Sequence, residues 1–260
     1  MPAGSQAAVA PAREKIHLYL LMGQSNMAGR GVIDEESKIP YPRVLTLTKE
    51  QTWGPAVDPL DIRDDGGFAG VGPGIAFAKM MAEKDPDITI GLIPSAFGGS
   101  NLDRWEKGGN LYVPAVQRAL AAMKGGTLKG ILWHQGESNA VDQQNAANYG
   151  QRLTKMFGDL REDLHASDVP IVVGELGRFL SNEDFPCAAQ INAALNSIPQ
   201  TVPLSSFVTS KGLKDKGDSL HFDTASAREL GRRYAAAMIE LQKKRATQEP
   251  RKEPEKKKNK

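Results

Sequence analysis

Short apolar runs alternate with amphipathic stretches along most of this chain, and this alternation is the strongest constraint on its fold. An apolar run of about four to eight residues is typical of a buried strand, whereas apolar residues spaced three and four apart indicate a helix. Strands that alternate with helices form a parallel sheet whose crossovers cover both of its faces. The pattern predicts strands at 16–22, 87–93, 129–133, 170–176 and 206–209, and helices at 73–83, 112–123, 143–164, 188–197 and 224–243.

Length and charge divide the chain into one folded domain, expected at 15–243, and two tails. Residues 1–14 are rich in Ala, Pro and Gly without the apolar core of an intact signal peptide, which predicts a flexible segment. The segment from Lys243 to Lys260 holds nine Lys or Arg and three Glu, a net +6 in a chain of net +2, so the rest carries about −4. This composition predicts a basic disordered tail at 244–260, with contact to nucleic acid or an anionic surface as the weaker alternative.

The numbers of cysteines and histidines restrict the possible chemistry. Cys187 is the single cysteine, so an intramolecular disulfide and a multi-cysteine metal site are both excluded. The four histidines, His17, His134, His165 and His221, include no closely spaced ligand pair, so we expect no histidine-based zinc site. No apolar run approaches the length of a transmembrane helix.

Polar clusters follow the ends of the predicted strands. Because the carboxyl ends of parallel strands meet at one edge of a sheet, we expect these clusters to lie close together. A serine directly after a strand, with a distant Asp-x-x-His motif, is a candidate nucleophile with its base and orienting acid. The clusters are Gly23-Gln24-Ser25-Asn26, Pro94 to Ser100, His134-Gln135-Gly136-Glu137-Ser138, Glu175-Leu176-Gly177, and the pair Asp218 and His221.

These blocks resemble the SGNH hydrolases, and within them the sialate O-acetylesterase and carbohydrate esterase family 6 (acetylxylan esterase-like) group. The resemblance implies a three-layer α/β/α sandwich, SGNH- or flavodoxin-like, and the removal of O-acetyl groups from a glycan. Its specific part is the His-Gln-Gly-Glu block joined to Gly-Gln-Ser-Asn. The matching residues are Gly23 to Met27, Gly98-Gly99-Ser100 with Trp105, His134 to Ser138 and Asp218 to Phe222.

Ester hydrolysis through an acyl-enzyme needs a nucleophile, a base, an orienting acid and donors for the developing oxyanion, but neither metal nor organic cofactor. We assign Ser25 as the nucleophile, His221 as the base and Asp218 as the orienting acid, with Glu137 as an alternative orienting acid. The expected oxyanion donors are the Ser25 N–H, an N–H of Gly98 or Gly99, and the side chain of Gln135, which stands where other branches of the superfamily carry asparagine. Glycine suits the loop position because a side chain would obstruct the acyl group. Gln24, Asn26 and Glu137 complete the expected oxyanion and substrate-binding set.

Several residues near these blocks have two possible roles. Arg104 and Trp105 either line a sugar site or, for Trp105, belong to the core. Trp53 is either a lid or stacking platform or a packing residue. Asn26 is expected to fix the serine turn through backbone bonds, and His134 to be structural.

The sequence supports one function and leaves others open. The expected function is a serine esterase that deacetylates a xylan-type polysaccharide, another plant or algal polysaccharide, or sialic acid. The alternatives are a lipase- or thioesterase-type SGNH hydrolase, which acyl-chain preference would reveal, and a non-catalytic glycan-binding module. We expect an acetylated glycan as partner, no nucleic acid and no membrane, and a secreted or periplasmic location on the family resemblance. The sequence specifies no oligomeric state.

Overall fold

The computed structural model describes residues 13–60 and 69–248, where a seven-stranded sheet lies between two layers of helices. The strands are β1 (Ile16–Gly23), β2 (Val44–Leu47), β3 (Trp53–Pro55), β4 (Thr89–Pro94), β5 (Thr127–His134), β6 (Ile171–Gly174) and β7 (Ser205–Val208). The α-helices are α1 (Ser25–Ala28), α2 (Pro73–Lys84), α3 (Tyr112–Ala122), α4 (Gln143–Ala146), α5 (Tyr149–Asp163), α6 (Ala188–Thr201) and α7 (Thr224–Gln248).

The strand order is β3-β2-β4-β1-β5-β6-β7. All neighbouring strands are parallel except β2 and β3, which are antiparallel. β1 lies at the centre between β4 and β5, so the segments that follow these three strands meet at one edge of the sheet. The predicted α/β fold with a central parallel sheet is confirmed.

Alternate residues of β1 face two separate hydrophobic cores, which explains the unbroken apolar run at the start of the chain. Leu18, Leu20 and Met22 pack with residues of α3, α5 and α6. Tyr19 and Leu21 pack on the other side with residues of α2 and α7. Each fully buried side chain of this kind stabilises the fold by roughly 1.5–3 kcal/mol. The three layers predicted from the family resemblance are therefore present.

The stretch from residue 30 to 72, where the sequence pattern predicts neither a strand nor a helix, contains the edge strands β2 and β3. β2 adds to β4 through the register Val44–Ile90, and Arg43 donates hydrogen bonds to the carbonyl oxygens of Ala82, Asp85 and Ile88. Strands of four and three residues are too short to show a period of two in the sequence. The tertiary contacts to β4 and α2 therefore decide this part of the fold.

The helix predicted at 143–164 is interrupted, because Asn148 adopts a left-handed conformation with φ 58° between α4 and α5. Asp142 caps α4 as expected of a helix-start residue, since its side chain accepts a hydrogen bond from the Asn145 N–H at 2.8 Å.

The last helix extends beyond its predicted end at Lys243. It runs to Gln248, and an ion pair between Arg245 and Asp168 ties this extension to the domain. The first residues of the predicted tail are thus helical, while the rest of that tail, residues 249–260, lies outside the described residues, as do 1–12 of the predicted N-terminal segment. Among the described helices, none is long and apolar enough to cross a membrane.

Candidate active site

Ser25 lies at the turn between the central strand β1 and the short helix α1. The turn begins at Gly23, whose φ is +132° and where a Cβ atom would lie 2.0 Å from the carbonyl oxygen of His134. A residue with a side chain cannot fit there, so glycine is what allows β1 to turn beside the end of β5. The next residue, Gln24, donates its N–H to the same His134 oxygen at 2.8 Å. The turn leaves Ser25 as the first residue of α1, only 5% exposed.

The structure brings Ser25, His221 and Asp218 together at this edge of the sheet. His221 Nε2 lies 3.0 Å from Ser25 Oγ, and His221 Nδ1 lies 2.8 Å from Asp218 Oδ2. Because a carboxylate only accepts hydrogen bonds, Nδ1 carries the proton and Nε2 is left as an acceptor for the Ser25 hydroxyl. This is the arrangement in which a histidine can remove a proton from a serine.

Electrostatics keeps Asp218 ionised and His221 neutral. Burial would raise the pKa of Asp218, but hydrogen bonds from the N–H and imidazole of His221 and the N–H of Leu220 outweigh it and hold this pKa well below its usual range. Burial lowers the pKa of His221 and outweighs the hydrogen bond and charge of Asp218, which raise it. Arg30 and Lys216 add smaller downward contributions to the His221 pKa. A neutral imidazole beside an ionised carboxylate suits a general base.

The loop that carries Asp218 and His221 is held by its own hydrogen bonds. Asp215 Oδ2 accepts the N–H groups of Gly217 at 3.0 Å and Ser219 at 2.8 Å. The N–H of Lys216 donates to the His221 carbonyl oxygen at 2.8 Å, and the Lys216 ammonium lies 3.3 Å from Asp218 Oδ2. The sequence reasoning missed Lys216, although its position two residues before Asp218 was a local signal for such an ion pair.

Three backbone N–H groups, in the Ser25 turn and in the glycine loop that is bonded to this turn, remain available for a ligand. Within the described part of the chain, no acceptor takes the N–H of Ser25, Gly98 or Gly99. The glycine loop is anchored by the Phe97 N–H, which donates to the Gly23 carbonyl oxygen at 2.8 Å. Gly99 has φ +64°, and a Cβ atom there would meet nothing within 4 Å. The backbone conformation of Gly99 therefore favours glycine, although a side chain at this position would not collide with its surroundings.

The geometry of Gln135 does not match its expected oxyanion role. Its side chain is fully buried, its Nε2 donates to Asn139 Oδ1 at 2.7 Å and to the Ser100 carbonyl oxygen at 2.9 Å, and the same Nε2 lies 3.3 Å from Gln24 Oε1. Its Oε1 accepts from the Tyr149 hydroxyl at 2.9 Å. Both ends of this amide are occupied inside the protein, so no donor remains for a ligand.

Gln24 has the opposite arrangement. Its Oε1 is surrounded by three donors, the Gln135 amide and the N–H groups of Gly136 at 3.4 Å and Ser138 at 3.3 Å. These donors fix the amide orientation, because an NH₂ group in that place would face only other donors. Among the described residues no acceptor takes Gln24 Nε2, which makes it a side-chain donor next to the Ser25 turn.

Glu137 does not contact the imidazole of His221, whose Nδ1 is bonded to Asp218 instead. Glu137 is 1% exposed, accepts a 2.6 Å hydrogen bond from Asn26 Nδ2 and lies 3.6 Å from His134 Nε2. Burial raises the pKa of Glu137 to about 7 and lowers the pKa of His134 to about 3. The His134 side chain is fully buried and its Nδ1 lies 3.1 Å from the Tyr234 hydroxyl, which is a structural position.

The aromatic candidates divide between core and surface. Trp105 is fully buried, lies edge-on to Trp133 at 5.7 Å and donates its Nε1–H to Ser100 Oγ, so it belongs to the core and supports the glycine loop. Trp53 lies in β3 and packs against the same core. The guanidinium of Arg104 lies 4.5 Å above the Phe97 ring, at the outer side of the glycine loop.

Glu175, which follows β6, serves the loop after β7 rather than Ser25 or His221. Its carboxylate accepts hydrogen bonds from Thr209, Ser210 and Arg178. Burial would raise its pKa, and these partners outweigh that effect and lower it. The described residues contain no group of three or more His, Cys, Asp or Glu side chains arranged to hold a metal.

Sequence reasoning did not find the buried network behind Gln24. Tyr149 lies within the helix predicted at 143–164 and Asn139 lies outside every predicted strand and helix, and the sequence analysis singled out neither, yet both bind Gln135. The separation of four residues between Gln135 and Asn139 was the one local signal for this network.

Comparisons with known proteins give a family, relatives and solved structures to which this chain is similar. The family model described as "Carbohydrate esterase, sialic acid-specific acetylesterase" matches residues 15–240. A probable carbohydrate esterase of Arabidopsis thaliana is 34% identical over 241 residues, which cover 85% of this chain and 90% of the relative. The solved structure of that Arabidopsis protein has a TM-score of 0.78 at 32% identity and covers 86% of this chain and 98% of its own.

Two further solved structures share the fold at lower identity. NanS has a TM-score of 0.75 at 20% identity, with 90% of this chain and 99% of NanS covered. Axe2, an acetylxylan esterase from Geobacillus stearothermophilus, has a TM-score of 0.52 at 12% identity, with 88% of this chain and 96% of Axe2 covered.

Proposed function

This chain belongs to the sialic acid-specific acetylesterase family of carbohydrate esterases, and on that premise we propose that Ser25, His221 and Asp218 are the catalytic triad with which it removes O-acetyl groups from carbohydrate. The observation that carries the assignment is the continuous chain of hydrogen bonds from Asp218 through His221 to Ser25, at 2.8 Å and 3.0 Å. Members of this family are carboxylic ester hydrolases, so the reaction is transfer of an acetyl group to water.

In the acylation step, Ser25 Oγ attacks the acetyl carbonyl carbon while His221 Nε2 takes the hydroxyl proton. Asp218 stabilises the imidazolium and keeps Nδ1 protonated. The tetrahedral intermediate collapses when the bond from the carbonyl carbon to the sugar oxygen breaks. His221 delivers its proton to that oxygen, so a free sugar hydroxyl leaves and acetyl-Ser25 remains.

In the deacylation step, a water molecule takes the place of the sugar hydroxyl. His221 Nε2 removes a proton from this water as its oxygen attacks the acetyl carbon. The bond to Ser25 Oγ then breaks, His221 returns the proton to Oγ, and acetic acid leaves. The triad is regenerated without any cofactor.

The oxyanion of both intermediates needs donors that are already oriented. We assign the N–H groups of Ser25 and of Gly98 or Gly99, together with Nε2 of Gln24. We assign Gln24 instead of Gln135 because the donors around Gln24 Oε1 fix its orientation, and no acceptor among the described residues takes its NH₂ group. Gln135 then acts behind Gln24, as one of the three groups that hold its amide.

Two acetylated carbohydrates are candidate substrates, sialic acid and a xylan-type polysaccharide. The family description supports O-acetylated sialic acid, and the fold shared with Axe2 keeps an acetylxylan substrate in the comparison. Acetate release from both substrates, measured side by side, distinguishes them. We also propose a secreted or periplasmic location, supported by the family resemblance, which cell fractionation of the source organism tests.

Hydrolysis of p-nitrophenyl acetate by the wild type and by Ser25→Ala tests the triad. We expect the variant to lose at least ~10³-fold in kcat. Ser197→Ala is the matched control, because this serine lies on α6 and its hydroxyl donates to the Ala194 carbonyl oxygen of the same helix. Equal rates of Ser25→Ala and wild type would reject the triad and favour a glycan-binding module. A preference for octanoyl over acetyl esters would favour a lipase-type hydrolase.

A further inference from the structure

We propose that Asn26 and Glu137 form a positioning pair that holds the His221 loop against the Ser25 turn. The inference rests on the proposed function, because it assumes that Ser25 and His221 carry the reaction. Neither residue of the pair contacts the reacting atoms, so their effect on the rate is exerted through the position of His221.

Asn26 connects the two parts of the active site directly. It follows Ser25 in the chain, and its side chain bonds the backbone on both sides of His221. Its Nδ2 donates to the Leu220 carbonyl oxygen at 3.1 Å, and its Oδ1 accepts from the Phe222 N–H at 3.1 Å. One buried amide therefore sets the distance between the serine turn and a loop nearly two hundred residues away in sequence.

Glu137 sets the orientation of that amide. Its Oε1 accepts the second hydrogen of Asn26 Nδ2 at 2.6 Å, and both side chains are buried. With an acceptor on this side, the NH₂ group of Asn26 must face Glu137 and Leu220, and its Oδ1 must face Phe222. A buried hydrogen bond of this kind acts in a low dielectric and resists exchange with water.

His134 packs beside the same oxygen of Glu137 that binds Asn26: its Nε2 lies 3.6 Å from Oε1, and Oε2 of Glu137 is buried without a hydrogen-bond partner among the described residues. The Tyr234 hydroxyl donates to the Trp133 carbonyl oxygen at 2.8 Å, so it can only accept from His134 Nδ1. His134 Nε2 is therefore an unprotonated acceptor, and it has no hydrogen-bond partner although it is buried. A glutamine at position 137 can keep its amide oxygen in the place of Oε1, as the acceptor for Asn26, with its NH₂ group in the place of the unbonded Oε2.

These contacts predict different kcat values for two substitutions of Glu137. Glu137→Leu removes the acceptor for Asn26, and we expect kcat to fall about 10- to 100-fold with KM little changed, the scale of a misplacement near 1 Å. Glu137→Gln keeps an acceptor for Asn26, and we expect its kcat to stay within about threefold of the wild type, since the reacting groups keep their geometry. If Glu137 had only a structural role, its leucine and glutamine variants would have the same kcat once the folded fraction is taken into account.

Asn26→Asp tests the same pair from its other side. The variant keeps an acceptor for the Phe222 N–H but places a carboxylate against Glu137 and the Leu220 carbonyl oxygen, so we expect a similar loss in kcat. The double variant Asn26→Asp/Glu137→Gln restores a donor and an acceptor between the two positions. We expect it to recover part of the loss, with kcat at least about fivefold above Asn26→Asp alone, as pairs in direct contact are not additive.

The experiment measures kcat and KM for p-nitrophenyl acetate, the rate at which a fluorophosphonate labels Ser25, and the melting temperature of each variant. Asp163→Leu is the control, because it removes a half-buried carboxyl that binds Tyr112 and Lys107 at the end of α5, away from the loop of Asp218 and His221. We expect the control to lower the melting temperature but to keep kcat and the labelling rate.

The outcomes separate this inference from the proposed function. If the wild type neither hydrolyses acetyl esters nor labels at Ser25, the proposed function fails. If the wild type is active and folded Glu137→Leu keeps its kcat, or the double variant is no better than Asn26→Asp, the positioning role is rejected. Should Glu137→Leu not fold, the comparison of Asn26→Asp with the double variant decides the question.

Discussion

Nε2 of His221 lies 3.0 Å from Oγ of Ser25, although 196 residues separate them in the chain. The contact forms because the end of the central strand and the loop before the last helix meet at the same edge of the sheet. Asn26 closes the remaining distance by bonding the backbone on both sides of His221. Tertiary contacts alone therefore hold His221, the proposed base, against Ser25, the proposed nucleophile.

The pH dependence of the reaction is set by His221, which must be neutral in the free enzyme to accept the Ser25 proton. Burial lowers its pKa below the ordinary value of 6.5. We expect kcat/KM for an acetyl ester to rise with pH along a limb whose midpoint lies below pH 6.5. A midpoint clearly above pH 6.5 in the measured profile contradicts this assignment.

Asp218→Asn removes the group that stabilises the imidazolium. We expect kcat to fall about 10³–10⁴-fold, as for loss of the orienting acid in a triad. The hydrogen bond and charge of Asp218 raise the pKa of His221. In Asp218→Asn the midpoint of the rising limb of the kcat/KM profile should therefore move to lower pH. Asp87→Asn, an exposed aspartate before β4, is the control, and an unchanged kcat in Asp218→Asn would rule out Asp218 as the orienting acid.

Gln24→Glu tests the proposed side-chain oxyanion donor. The glutamate keeps an oxygen for the N–H groups of Gly136 and Ser138 but replaces the free NH₂ group with an acceptor. We expect kcat to fall about 10²–10³-fold, the effect of losing one oxyanion donor. Gln151→Glu, on the exposed side of α5, should be neutral. A change confined to KM would instead make Gln24 a substrate-binding residue.

The stability of Glu137→Gln relative to the wild type should depend on pH. The raised pKa of Glu137 means that its contribution to stability is fully present below about pH 4.5 and is lost as pH rises through about 7. Glutamine does not titrate, so the unfolding free energy of the variant minus that of the wild type should increase from pH 5 to pH 8. Urea denaturation at the two pH values measures this difference, and a decrease contradicts burial of a protonated carboxyl.

His134 changes the stability with pH in the opposite direction from Glu137, and it is still present in the Glu137→Gln variant. Its pKa is lowered to about 3, so its contribution to stability is present above about pH 6.5 and is lost as pH falls toward 3. The contributions of His134 and Glu137 therefore oppose each other between about pH 4.5 and 6.5 in the wild type. For this reason the experiment compares the difference between variant and wild type rather than either curve alone.

Trp105→Ala tests the core position of this tryptophan. The side chain is fully buried and contacts Trp133, so we expect a loss of about 3–5 kcal/mol in the free energy of unfolding. Trp53→Ala, at a half-buried edge-strand position, should cost less. Equilibrium urea denaturation of both variants measures this. A stable Trp105→Ala protein with a raised KM for an acetylated glycan would place Trp105 in the sugar site instead.

Local patterns in the sequence were enough to predict the main strands of this protein and their packing between helices. Apolar runs and helical spacing are properties of neighbouring residues, and they predicted five of the strands and the two-sided packing of β1. The rule that parallel strands end at one edge then grouped Ser25, Asp218 and His221 from residue types and spacing. Short segments with weak periodicity, such as β2 and β3, formed only through contacts with β4 and α2.

The sequence by itself determined the fold class, the family resemblance and the three residues of the proposed triad, because each depends on residue type and on spacing along the chain. Only the tertiary structure decided that Asp218 rather than Glu137 contacts Nδ1 of His221, and that the amide of Gln135 rather than that of Gln24 is occupied within the protein, which is why we propose Gln24 as the donor. Hydrogen-bond orientation depends on which groups surround an amide or a carboxyl in space. Here those groups come from elements more than a hundred residues apart, such as the Gln24 turn and the Gln135 segment.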